Sequence, residues 1–165
     1  MDYKNYQPVV EVTRGAMIES VHFGAAAVVD STGKLMAQVG DPQTSTFLRS
    51  SAKPFQALPF VEMGGVGAFN LSLRELAVMC ASHTGTDDHF AVVSGIQQKI
   101  GVTEQDLLCG THTPYDSETA KRLLLQGLSP TPNRHNCSGK HTGMLAHVTL
   151  RKLDKEDYVN PAHPI

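Results

Sequence analysis

Every stretch that reads as a β-strand lies before residue 40. Residues 9–14 (Val-Val-Glu-Val-Thr-Arg) are one such β-rich run, and Gly15 punctuates it. A longer run covers Ile18 to Asp30, Asp30-Ser31-Thr32-Gly33 reads as a turn, and Lys34–Val39 reads as the returning strand. An antiparallel hairpin is therefore expected near the N-terminus. It supplies too few strands for a sheet with one good hydrophobic face. At 165 residues the chain suits one domain or part of a larger one. Its class is α/β, more narrowly α+β.

The helical signals follow in order. Phe55, Leu58, Val61 and Met63 fit a short helix that starts at about Ser51 or Ala52 and stops at Gly64-Gly65, with Pro54 in its first turn. Pro59 predicts a kink there. Ser72 with Glu75 spells a capping box for a helix through Cys80. Thr86 or Asp87 opens a longer helix on Phe90, Val93, Ile96, Gln97 and Ile100. Thr103–Asp106 begins a short helix, and Asp116-Ser117-Glu118 caps one over Thr119–Gln126. Residues 129–137 read as a loop, and Ser138–Gly143 as a polar turn opening into a helix over Met144–Leu150. The ending, Asn160-Pro161-Ala162-His163-Pro164-Ile165, shows neither capping nor strand-ending logic, so the chain reads as a domain cut in the middle.

Composition narrows the function. A net charge of −2 with scattered Lys and Arg gives no basis for nucleic-acid binding or an anionic membrane surface. No apolar run approaches the roughly 18 residues of a spanning helix, and the start lacks a signal-peptide pattern, so a cytoplasmic protein is expected. Cys80, Cys109 and Cys137 are odd in number and widely spaced, which favours reduced thiols, Cys109 as a small buried hydrophobe among them.

Three short segments mix Ser, Cys, Lys or His with Gly near helix ends. The first, Arg49-Ser50-Ser51-Ala52-Lys53-Pro54, carries a Ser-x-x-Lys. On a helix, positions i and i+3 share a face, so the Ser50 hydroxyl and the Lys53 amine are expected to meet. A neutral lysine there would act as base for the serine. In the second, Ala81-Ser82-His83-Thr84-Gly85, Ser82 offers a second hydroxyl for proton delivery and His83 a group to orient it. In the third, Asn136-Cys137-Ser138-Gly139-Lys140-His141, the i, i+4 spacing lets Cys137 and His141 reach one metal, though two ligands alone do not make a zinc site.

Together these segments resemble the asparaginase II family, the rhizobial type of L-asparaginase. Arg14-Gly15 and Glu19-Ser20-Val21-His22-Phe23-Gly24 are similar to that family's opening, and the likeness runs along nearly the whole chain. It implies a β-lactamase-like serine hydrolase fold, hydrolysis of L-asparagine to L-aspartate and ammonia, and a homodimer. Ser50 is then the nucleophile, Lys53 its base and Ser82 the second active-site serine. Arg49, His83 and His141 are placed around the substrate, and Cys137 and Lys140 as two ligands of a zinc ion. Members of that family are about twice this length, so residues 1–165 are expected to be the N-terminal half of one such domain, incomplete in its fold and possessing only part of the zinc and catalytic set. Two rivals share the pattern. A penicillin-recognising or esterase-like Ser-x-x-Lys hydrolase would want a Lys-Thr-Gly element, which is absent. A non-catalytic fragment or interaction domain would keep the half-site without turnover.

Overall fold

The computed structural model describes residues 5–165. These fall into two compact units, one ending at Phe47 and one running from Leu48 to Ile165.

The first unit holds two hairpins where the sequence predicts one. β1 (Gln7–Arg14) pairs antiparallel with β2 (Met17–Gly24), and β3 (Ala26–Val29) with β4 (Leu35–Val39). The expected strand over Ile18–Asp30 is thus broken at Ala25, and each piece finds its own partner. Gly15, at φ +61, makes the first turn in a conformation that L-residues adopt at a cost. The second turn is the predicted one. One carboxylate oxygen of Asp30 accepts from the backbone N–H groups of Thr32 and Lys34, at 2.8 and 3.0 Å. No strand residue is buried, because a two-stranded ribbon has no second layer to cover either face.

The second unit is helical. Its helices are α1 (Lys53–Glu62), α2 (Gly65–Ala68), α3 (Leu73–Met79), α4 (Asp87–Ile100), α5 (Ser117–Leu125) and α6 (Ser138–Leu150). The class is therefore α+β. The Ser72–Glu75 capping box forms in full, and Lys99 pairs with Glu75 at 2.8 Å, fastening the end of α4 to the start of α3. On α4 the predicted stripe buries Val93, Ile96, Gln97 and Ile100. Helix α1 runs through Pro59 to Glu62 without ending there. So late in a helix, the missing N–H costs a single i→i−4 bond.

The centre is α6, which packs against α1, α3 and α4. It starts at Ser138, six residues before the apolar run from Met144 at which the sequence predicts a helix. Leu145 and Ala146 are fully enclosed, joined by Phe60, Val93, Ile96, Val148 and Tyr158. Burial of each large apolar side chain contributes about 1.5–3 kcal/mol. Two glycines let α6 sit this close. A Cβ at Gly139 would stand 2.1 Å from the Val78 carbonyl oxygen at the end of α3. Among the described residues no helix is long and apolar enough to cross a membrane.

Candidate active site

A 3-10 turn over Arg49–Ala52 runs straight into α1, and the Lys53 N–H donates to the Ser50 carbonyl. This puts Ser50 and Lys53 one turn apart, as the spacing requires, with Ser50 exposed and Lys53 only 3% exposed. The amine points inward and across the loop after α3, where it hydrogen-bonds the hydroxyl of exposed Ser82. The expected contact between the Lys53 amine and the Ser50 hydroxyl does not form. The turn directs one side chain to solvent and the other beneath Ser82. Arg49, just before Ser50, is exposed and sits at φ +51, a left-handed conformation that is costly for a residue with a Cβ. The Ser-x-x-Lys spacing also occurs at Ser31 and Lys34, but there both residues are exposed in the β3–β4 turn.

The second segment is pinned to the third through His83, which is 3% exposed. Its Nδ1 accepts from the Gly85 N–H at 3.1 Å, so the ring proton sits on Nε2 and is donated to Ser138 Oγ at 2.8 Å. Ser138 passes its own proton to the Asn133 carbonyl at 3.0 Å. Burial, with His89, Lys53, His135 and His112 nearby, pushes His83 down to about 4, so it is neutral at pH 7. Both ring nitrogens are occupied, and no atom of the ring is left for a substrate. Arg134 adds a second clasp, donating to the Gly85 carbonyl at 3.0 Å and pairing with Asp87 at 2.5 Å.

His141 is arranged differently. The Tyr158 hydroxyl accepts from the Leu108 N–H at 2.9 Å and shares a hydrogen bond with His141 Nδ1 at 2.7 Å. The Nε2 of His141 is left without a partner among the described residues, on a ring 7% exposed. Burial, with Lys140, His135 and Lys53 nearby, holds this histidine at about 4. Tyr158, Asn133 and Gln97 have no motif that marks them in the sequence, and Ser138 lies in the third segment without a role of its own there. Only the buried stripe of α4 hinted at Gln97.

Cys137 stands at the N-cap of α6 and Lys140 in its first turn, both half-buried. Cys109 joins them. Burial pushes its thiol up to about 11, with Cys137 raising and Lys140 lowering it from nearby. It is half-buried rather than the enclosed hydrophobe expected, and nothing in its spacing tied it to this place. All three cysteines are free. Among the described residues no three His, Cys, Asp or Glu side chains converge as a metal site. One thiolate and one amine do not complete the tetrahedron that zinc takes, so the residues present do not fit a structural zinc site by themselves. A cavity of about 250 Å³ opens between α1 and α6, lined by Lys53, Gln56, Met79, Lys140, Met144 and His147 among others.

An exposed hydroxyl bonded to a buried amine, a second exposed hydroxyl one turn from that lysine and a free imidazole nitrogen nearby make an arrangement suited to acyl transfer. The family model of L-asparaginase II matches residues 10–165. No curated protein matches the chain.

Proposed function

The chain belongs to the L-asparaginase II family, and on that premise we propose that it carries the Ser-x-x-Lys half of an L-asparagine amidohydrolase. The observation that carries this reading is the buried Lys53 amine, held by Ser82 one turn from Ser50. Ser50 attacks the side-chain amide carbon of asparagine, and Lys53 takes the hydroxyl proton, directly or through Ser82. The carbonyl electrons collect on oxygen, where backbone N–H groups of the turn entering α1 stabilise the charge. Collapse of the intermediate breaks the C–N bond as Lys53 or Ser82 returns a proton to the leaving nitrogen, and ammonia departs. Water then hydrolyses the β-aspartyl ester and restores Ser50.

Around this chemistry, Arg49 and the free Nε2 of His141 are the groups offered to the substrate. A β-lactamase-like arrangement of the whole domain, a homodimer and a cytoplasmic setting are parts of the same proposal. Zinc belongs to it only as a weakly held ion on Cys137 and Lys140, and no step here runs through it. Ammonia release from L-asparagine, measured on the chain and on Ser50→Ala, tests the reading. Turnover that survives in the Ser50→Ala protein would sink it.

A further inference from the structure

Ser82 and Lys53 come from separate elements, the loop after α3 and the first turn of α1. Ser82 is exposed, and its side-chain hydroxyl bonds to Lys53. Something else must hold the loop in place, because an exposed serine on a loop samples its rotamers freely. The residues next to it do so. The His83 N–H donates to the Asn136 carbonyl at 3.2 Å, and its ring donates to Ser138. Ser138 is fully buried and spends its proton on the Asn133 carbonyl. Asn133 is 2% exposed and its side chain is fixed by a reciprocal amide pair with Gln97 on α4, at 2.7 and 3.0 Å, and by Ser94 at 3.0 Å. Gln97 reaches on to Thr142 of α6 at 3.4 Å.

We propose that Ser138 and Asn133 are positioning residues, which act through His83 to hold the Ser82 hydroxyl on the Lys53 amine. Each polar atom in this chain has a partner, and none touches the position of the substrate. A satisfied buried network of this kind defines one geometry, and a partly satisfied one loses it. Proper placement matters here because a displacement of about 1 Å costs on the order of 100-fold in rate. The inference rests on the amidohydrolase reading for its kinetic consequence, and on geometry alone for the Lys53–Ser82 contact.

The test uses the full chain labelled with 15N-lysine, so that the Lys53 Nζ resonance reports its contact with Ser82 without any turnover. Ser138→Ala and His83→Phe should both move that resonance. They should also lower kcat for asparagine by about 10- to 100-fold with KM within about twofold. His83→Gln keeps an N–H where Nε2 was and should recover most of the loss. The double variant His83→Phe/Ser138→Ala should be no worse than either single one, as expected of groups acting in series. Ser72→Ala, which removes a helix cap elsewhere, serves as a control that lowers stability and leaves the Lys53 signal alone. If Ser138→Ala behaves like that control, with only its melting midpoint lowered, the positioning role is overturned. An inactive wild-type chain whose Lys53 resonance still moves in Ser138→Ala would retire the amidohydrolase reading and leave the positioning intact.

Discussion

The amine of Lys53 hydrogen-bonds the hydroxyl of Ser82, one loop away, and leaves Ser50, its neighbour on the same turn, to solvent. On the proposed mechanism Lys53 serves both serines, which raises the question of which one forms the ester. Ser50→Ala should remove amidase activity to background. Ser82→Ala should lower kcat while a covalent adduct still maps to Ser50. Lys53→Met, which keeps the stem and removes the base, should cost about 10²–10⁴-fold in kcat. Mass mapping of a trapped acyl-enzyme decides the order, and an adduct on Ser82 would reverse the roles given to the two hydroxyls.

Acid should loosen the helical unit well before its carboxylates titrate. His83 and His141 are both depressed to about 4 from an ordinary 6.5. Between those values the unfolded chain binds protons that the folded one refuses, so stability rises with pH through that window. The contribution is complete above pH 6.5 and is lost as pH falls towards 4. Each group is worth on the order of 3 kcal/mol, and the two share Lys53 and His135 as neighbours, so their effects do not simply add. Asp87, Asp106 and Asp116 are lowered from 3.8 and act only below this window. Urea denaturation at pH 7 and pH 4.5 checks the point, and equal unfolding free energies would refute it.

Local signals in the sequence carried further than long-range ones. The capping box at Ser72, the stripe on α4 and the Asp30 turn were legible because each is decided within a few residues. The start of α6 was missed because Gly139 and Gly143 look like turn residues, and their reason is the nearness of α3. The break at Ala25 escaped because continuous β-branched runs do not say where a strand changes partner. At the site, Ser50, Lys53, Ser82, Cys137 and Lys140 could be singled out as chemistry-bearing side chains. That Lys53 faces Ser82, that His83 is consumed by Ser138, and that Cys109 lies near Cys137 depend on folding distant segments together.

Zinc should bind this chain weakly. Cys137 and Lys140 offer two donors, and the amine must lose its proton before it can coordinate. Metal analysis after dialysis against micromolar zinc should find well under one equivalent, falling further in Cys137→Ser. A tight, stoichiometric ion would mean that Cys109 or another group completes the shell.

Gly139 and Gly143 separate a contact effect from helix propensity, since both lie inside α6. Alanine at either gains up to about 1 kcal/mol of propensity. At Gly139 the new methyl meets the Val78 backbone at 2.1 Å, whereas at Gly143 its nearest atom is the Met79 Cε at 2.9 Å. A backbone cannot step aside and a methionine tip can. Gly139→Ala should therefore lose about 1–3 kcal/mol or more, with Gly143→Ala near neutral. Similar melting midpoints for the two variants would contradict this close approach of α6 to α3.

Arg49 couples strain to the proposed site. Its φ of +51 places a residue with a Cβ where glycine sits without penalty. A protein selected for stability alone would have little reason to keep arginine there, whereas a guanidinium beside Ser50 offers a bidentate partner for a substrate carboxylate. Arg49→Gly should then melt at the same temperature as the parent or higher, while KM for asparagine rises about tenfold or more. Arg49→Lys keeps the charge and the strain, so it should melt like the parent and lose less affinity than the glycine variant. If Arg49→Gly leaves KM unchanged, the strained backbone serves the turn into α1 and the guanidinium is not a substrate contact.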